Sequence, residues 1–225
     1  MILAIDTATR WTGLALHDGT NVIAEYGWRA VNTQTIELAP AVQLMWQRAG
    51  IQPGDLNTSL KAVAVAIGPG SYTGLRVGLG FAKGLALTLP IALIGVPTLD
   101  IVAAAVPKLA GRLVVVAEAG RTRVCAAPYT WQRRKGWQPD SPPAVKTWEA
   151  LLADYAGQIT FAGETVAGQA RRIRAADKQF QVLPATAGVR RAGYLAQIGV
   201  QRLKQKQTDD PAALTPLYLQ EPAGA

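Results

Sequence analysis

The sequence predicts an α/β protein of two related lobes, and three observations carry that expectation. The first hundred residues open with strand patterns and then alternate helix and strand. The stretch beyond residue 106 begins with strands again and alternates in the same way. Between them, a buried apolar strand at 61–67 runs through a glycine-rich turn directly into a helix, which is the junction from which α/β layers are built.

Taken in order, Ile2, Leu3, Ala4 and Ile5 fill both faces of a first strand, Thr12 to His17 makes a second, and the Asp18-Gly19 turn leads into a third over 21–28. Leu38, Val42, Met45 and Ala49 recur at helical spacing, so a helix is expected over about 36–49, ended by Gly50. Past the Pro53-Gly54-Asp55 turn, the run Lys61 to Ile67 is a buried strand that enters Gly68-Pro69-Gly70-Ser71 and then a helix over about 73–87. A short strand at 92–95 precedes a helix over 99–105 capped by Thr98. In the second half, strands are expected at 113–117 and 124–128, a basic, proline-rich loop at 131–143, a short helix near 148–155, and a strand at 159–162 entering Gly163 and a helix. A long helix over 189–203 closes the chain before an apolar tail, Leu214 to Leu219. The expected division is an N-terminal lobe at 1–106 holding the association helices, a smaller basic lobe at 107–206, and a tail at 207–225 that docks back on the body.

Composition excludes several classes of function. The 225 residues hold one cysteine and one histidine. Cys125 alone forms no intramolecular disulfide and no cysteine-built zinc site, which suits a reducing compartment. His17 alone cannot build a metal centre that needs two imidazoles, and any serine relay would have to use it. The start, Met1 to Asp6, has no basic segment ahead of an apolar one, and the apolar stretch from Leu85 to Val106 is interrupted by Pro90, Pro97 and Asp100. The expectation is a cytoplasmic protein with no membrane contact, no resident metal and no catalytic residue.

The net charge of +8 is uneven. Residues 1–100 carry six Lys or Arg against six acids, and residues 101–225 carry 17 against nine, in clusters such as Arg133-Arg134-Lys135, Arg171-Arg172-Ile173-Arg174 and Arg190-Arg191. A basic second half favours a phosphate-rich partner, with nucleic acid first; the alternative is an ordinary solvated surface.

Two segments carry candidate chemistry. Asp6 ends the first strand ahead of Thr7-Ala8-Thr9, a placement that the actin-like and sugar-kinase-like folds use beside nucleotide phosphates and Mg²⁺. The alternative is that these side chains satisfy turn amides. In Gly68-Pro69-Gly70-Ser71-Tyr72-Thr73-Gly74-Leu75-Arg76, Gly68 and Gly70 allow close approach by a ligand or a second backbone, and Ser71 or Thr73 can cap a helix whose first amides attract anions. Weak binding of ATP or ADP with Mg²⁺ at Asp6, Thr7, Gly68, Gly70, Ser71 and Thr73 is therefore one expectation. The turn matches neither the phosphate-loop nor the dinucleotide fingerprint. In the helix that follows, Gly74, Gly78, Ala82 and Ala86 lie four apart, a small-residue face that another element can approach closely, flanked by Leu75 and Leu79.

The segments Ile2-Leu3-Ala4-Ile5-Asp6-Thr7-Ala8-Thr9, Gly13-Leu14-Ala15-Leu16, Gly68 to Gly78 with Ala82-Lys83-Gly84-Leu85-Ala86, and Gly95-Val96-Pro97-Thr98-Leu99-Asp100 together resemble the bacterial TsaB family, also called YeaZ. Pro216-Leu217-Tyr218-Leu219, similar to the family's terminal Pro-x-Tyr-Leu, extends the resemblance along the chain. It implies an actin-like, sugar-kinase-like fold (ASKHA, ribonuclease H-like) of two lobes with mixed sheets flanked by helices. It also implies a non-catalytic dimerisation subunit in the threonylcarbamoylation of the adenosine following the anticodon of tRNA. The implied partners are a TsaD-type catalytic paralogue, which holds its metal through a His-x-x-x-His pair, and a TsaE-type ATPase; whether the isolated chain forms a homodimer is left open by the sequence. The chain departs from the family at Gln34-Thr35-Ile36, where the family reads His-Ser-Glu, and at Glu118 to Cys125, where it reads Asp-Ala-Arg-x-x-Glu-Val-Tyr.

On this reading Leu38, Val42, Met45, Gly74, Leu75, Gly78, Leu79 and Ala82 form the partner interface, and Arg171, Arg172 and Arg174 contact tRNA. The competing functions are a glycoprotease-like hydrolase, which the single histidine disfavours, and a nucleotide-dependent kinase, for which residues 106–225 lack a second glycine-rich phosphate loop with acids.

Overall fold

A computed structural model describes residues 1–31, 33–119, 122–164 and 166–218. The chain forms two units, one of Met1–Thr98 with Arg191–Tyr218 and one of Leu99–Arg190.

In the first unit, β1 (Ile2–Asp6), β2 (Trp11–His17) and β3 (Val22–Arg29) form an antiparallel meander. Helices α1 (Gln34–Arg48) and α2 (Leu56–Ser59) follow, then β4 (Ala62–Gly68), α3 (Tyr72–Thr88) and β5 (Ala92–Pro97). β4 and β5 add in parallel beyond β1, giving the order β3-β2-β1-β4-β5. The alternation in β4, Ala-Val-Ala-Val-Ala-Ile, sets the layers, because successive side chains leave a strand on opposite faces. Leu3, Ile5, Leu14, Leu16, Val63 and Val65 form one core face with Leu38, Val42 and Met45 of α1 and Leu79 and Ala82 of α3. The other face is paved with alanines, and the final helix lies on it.

The second unit begins with α4 (Thr98–Ala105), whose first residue still belongs to the first unit, and continues with β6 (Arg112–Glu118), β7 (Arg123–Gln132), β8 (Gly136–Pro139), β9 (Ala144–Thr147), α5 (Trp148–Ala153), β10 (Ile159–Gly163), α6 (Ala170–Ala176), β11 (Phe180–Val182) and α7 (Ala185–Gly188). The sheet order β11-β10-β6-β7-β8, read from β8, repeats the first unit's pattern of an antiparallel hairpin edge followed by two parallel strands. Both sheets are mixed and flanked by helices, as the sequence predicts. Val115 and Ala117 pack under α4, while Val114 and Val116 pack under α5 and α6.

Two expectations need correction. The final helix, α8 (Ala192–Lys204), does not belong to the lobe at 107–206; it lies in the first unit. Gly199 brings it so close to the sheet that an added Cβ would stand 2.9 Å from Ala64 Cβ. The Glu25 carboxylate on β3 accepts the Gly193 amide at 2.9 Å at its N-terminus and pairs with Arg191. The expected loop at 131–143 contains strand β8, turned back from β7 through Arg133-Arg134-Lys135, with Gly136 at φ +74°. Of the tail, residues 207–218 dock on the first unit: Asp209 N–H donates to Leu93 O at 2.8 Å and Leu217 N–H to Ile67 O at 2.7 Å. Leu219 lies outside the described residues.

Candidate functional site

The acid and hydroxyls that end β1 meet the glycine-rich turn after β4. Asp6 and Thr7 are both fully buried. Asp6 Oδ1 accepts the Ala8 amide at 2.9 Å, and Thr7 Oγ1 donates to Gly74 O at 2.6 Å. The Ser71 amide donates to Ala8 O at 2.6 Å, and Ser71 Oγ caps α3 by accepting the Gly74 amide at 3.3 Å. A Cβ on Gly70 would overlap Ala8 O, one on Gly74 would overlap Thr7 O, and one on Gly78 would overlap Thr7 Oγ1. Gly68, at φ +116°, lies beneath the tail, where an added Cβ would stand 2.7 Å from Leu217 O, and its amide donates to Thr98 Oγ1 at 3.1 Å.

The close approach that these glycines permit is therefore by the chain's own backbone. Gly70 and Gly74 accept the β1–β2 turn where a phosphate cradle would need open space, and Asp6 directs an oxygen into that turn. Thr73 is exposed and stands apart from Asp6 and Thr7 in environment. Among the described residues no group of three His, Cys, Asp or Glu is placed to hold a metal.

The eight residues expected at a partner interface are interior. Leu38, Val42, Met45, Gly74, Leu75, Gly78, Leu79 and Ala82 are all buried within the first unit, so none presents a side chain to a partner. The face that α1 and α3 turn to solvent is a different one. On α1 it carries Ile36, which is 73% exposed, with Pro40 and Leu44; on α3 it carries Gly80, Gly84 and Leu87, the last also 73% exposed. A Cβ added at Gly80 or Gly84 meets nothing within 4 Å. The glycine spacing was readable in the sequence, but which pair of glycines faces outward depends on how the helix is rotated on its sheet.

At the start of α3, the Arg76 guanidinium lies 3.8 Å from the centre of the Tyr72 ring and donates through Nε to Tyr218 OH at 3.0 Å, so the tail is held by an aromatic and cationic clasp that sequence reasoning missed. In the second unit, Arg171, Arg172 and Arg174 are exposed on α6, with Ile173 turned into the core. Arg172 pairs with Glu149 at 2.6 Å. Arg171 and Arg172, with Ala167, Gly168, Gln169 and Ala175, line an open depression of about 590 Å³.

The two residues that counting singled out are structural. His17 Nδ1 accepts the Gly19 amide at 2.9 Å and fixes the β2–β3 turn. Cys125 is buried, and desolvation pushes its thiol up to about 12. Iodoacetamide at pH 8 is expected to label Cys125 only as fast as the second unit opens; labelling at the rate of a free thiol in the folded protein would contradict its burial.

Residues 30–181 match the family model for TsaD, tRNA N6-adenosine threonylcarbamoyltransferase. The chain is 31% identical to the tRNA threonylcarbamoyladenosine biosynthesis protein TsaB of Bacillus subtilis, over 97% of this chain and 93% of that one. It is 34% identical to the protein of the same name from Escherichia coli, over 64% of this chain and 61% of that one. Among solved structures it is similar to YeaZ from Pseudomonas aeruginosa, with a TM-score of 0.77 at 22% identity, covering 96% of this chain and 99% of that one. At that identity the likeness is one of fold. No helix among the described residues is long and apolar enough to cross a membrane.

Proposed function

The chain belongs to the TsaB family of tRNA threonylcarbamoyladenosine biosynthesis proteins, and from that premise we propose that it is the non-catalytic partner of a TsaD-type subunit in threonylcarbamoylation of tRNA. The complex works in the cytoplasm, and an ATPase of TsaE type joins the pair. The observation that carries the non-catalytic reading is the engagement of Asp6, Thr7, Ser71 and His17 in the chain's own turns. Asp6, Thr7 and Ser71 hold the β1–β2 and β4–α3 turns together, and the one histidine holds a hairpin turn. The catalytic chemistry belongs to the partner.

The outward face of α1 and α3 is the association surface. Each glycine in a solvent-facing helix position costs about 0.5 to 1 kcal/mol relative to alanine, and among the described residues nothing lies within 4 Å of a Cβ added at Gly80 or Gly84 to explain the choice of glycine. Bare backbone on α3 lets a helix of a partner come close, and the exposed Ile36 and Leu44 of α1 and Leu87 of α3 supply apolar area for it to bury. The catalytic subunit takes this face, and a second copy takes it when the chain is alone.

Gly80→Leu combined with Leu87→Glu places bulk and charge there without touching the core. The expected result is an unchanged melting temperature, loss of pairing with the TsaD-type subunit, and loss of the tRNA modification that the reconstituted system performs with the native chain. Pairing at native affinity would move the interface elsewhere, and modification at the same rate without this chain would remove the subunit reading altogether.

Arg171 and Arg174 are exposed on α6 and can take tRNA phosphate, whereas Arg172 is already partnered by Glu149. Contacts of that kind position the RNA without reading its sequence.

A further inference from the structure

The second sheet ends in a basic rim. Leu113 pairs with Tyr129, Arg112 pairs with Ile159, and Ile159 pairs with Phe180. The segments that precede β6, β10 and β11 and the segment that follows Tyr129 therefore all leave the sheet at one end. At that end the β7–β8 hairpin runs on past the start of β6: Thr130, Trp131 and Gln132 pair only with β8. At about 3.3 Å per residue, its turn stands roughly 10 Å beyond the body of the sheet.

The turn consists of Arg133, Arg134 and Lys135, all exposed. It is a stiff mount. The Lys135 amide donates to Gln132 O at 3.2 Å, and Gln138 Nε2 donates to Lys135 O at 3.0 Å. The rings of Trp131 and Trp137 meet edge to face at 5.4 Å, and Trp137 Nε1 donates to Val106 O at 3.0 Å. Lys108 and Lys178 are exposed on neighbouring segments of the same end.

Elsewhere in this unit four cations are matched, Arg172 with Glu149, Arg190 with Glu164, Lys146 with Asp154 and Arg112 with Asp140, while Arg171 and Arg174 stand exposed on α6. Of the carboxylates near the rim, Asp140 accepts from Thr130 Oγ1 at 3.0 Å as well as facing Arg112, and Asp177 accepts the Gln179 amide at 2.8 Å. Among the described residues no ion pair joins a carboxylate to Arg133, Arg134, Lys135, Lys108 or Lys178. Three adjacent like charges on one rigid turn repel each other, and a polyanion relieves that repulsion.

We propose that this rim, led by the Arg133-Arg134-Lys135 turn, is a docking surface for the phosphate backbone of RNA. The character of the surroundings separates RNA from an acidic protein. Every large apolar side chain that is exposed among the described residues lies in the first unit, from Val22 to Tyr218, and the second unit offers none. Protein interfaces are centred on buried apolar anchors, whereas nucleic-acid contacts run on charge, with guanidinium forks matched to phosphate oxygens. The proposal rests on the tRNA-modification reading and adds a contact that lies apart from the helix bearing Arg171 and Arg174.

The test is tRNA binding by the assembled complex, and by this chain alone, across a salt series. The variants are Arg133→Gln, Arg134→Gln and Lys135→Gln together, with Arg133→Lys and Arg134→Lys together as the charge-keeping control. The slope of log affinity against log salt is about 0.9 per neutralised phosphate on duplex DNA, so the triple variant is expected to flatten it by about two to three with subunit pairing intact. The Lys control is expected to keep the slope. An unchanged slope and affinity in a complex that still needs this chain for modification overturns the RNA assignment. Lost subunit pairing with tRNA affinity retained overturns it as well and assigns the turn to a protein. Failure of the underlying subunit reading shows differently, as modification that proceeds equally well without the chain.

Discussion

Gly78→Leu is expected to destabilise the first unit rather than to release a partner. Gly78 lies on the face of α3 that meets β1, and even a methyl group there would overlap Thr7 Oγ1, with Ile5 Cγ2 only 3.6 Å away. Thr7 cannot step aside cheaply, because its hydroxyl donates to Gly74 O at 2.6 Å and its own carbonyl fills the space above Gly74. Ile5 is fully buried, so a leucine has no empty volume to enter. Overpacking of a filled core costs about 1 to 3 kcal/mol, and a leucine at this spot sits at the upper end of that range or past it. At about 2 to 4 °C per kcal/mol for a chain of this size, the melting temperature should fall by roughly 6 to 12 °C. Gly80→Leu, two residues or a little over half a turn further along, places its Cβ where nothing lies within 4 Å and should leave stability level or slightly raised. A Gly78→Leu protein as stable as the native one would mean that α3 is not seated on Thr7.

That contrast also marks what the sequence could convey. The strand alternation of β4 was legible, and so were the meander before it and the helices around it, because burial on two faces leaves a local signature in Ala-Val-Ala-Val-Ala-Ile. The glycines of α3 announced close approach but not by what. Gly74 and Gly78 admit the chain's own Thr7, while Gly80 and Gly84 are left bare, a distinction fixed by helix rotation on the sheet and absent from any local pattern. The interface residues were expected on the wrong face for that reason: Leu38, Val42 and Met45 have the spacing of an apolar stripe, and the core claims such a stripe first. Asp6 and Ser71 posed the same ambiguity, since a carboxylate and a hydroxyl at a turn serve a ligand or the turn's own amides with the same side-chain atoms. Strand β8 was hidden by the charges of its hairpin and by Pro139; α8 was legible as a helix, but its seat in the first unit was hidden by distance, since the alanine face beneath it is formed by residues more than a hundred positions earlier.

Glu164→Ala is expected to destabilise the second unit by about 3 to 5 kcal/mol, the usual cost of removing one partner from a buried ion pair. The Arg190 side chain is 0% exposed and that of Glu164 is 18% exposed, so the substitution withdraws a carboxylate from a guanidinium that water cannot reach. The same change at the surface serves as a reference: Arg172 and Glu149 are 47% and 68% exposed, and Glu149→Ala should cost far less because water screens and replaces that pair. The pair also bears on function. Glu164 stands directly after β10, on the connection that leads to α6, and Arg190 is the last residue of the second unit before the chain returns to the first. Losing the pair should loosen the segment that carries Arg171 and Arg174 and lower tRNA affinity of the complex, with α1 and α3 still competent for pairing. Denaturant melts that show equally small losses for Glu164→Ala and Glu149→Ala would mean that Arg190 is held by its other contacts and that the carboxylate beside it is dispensable.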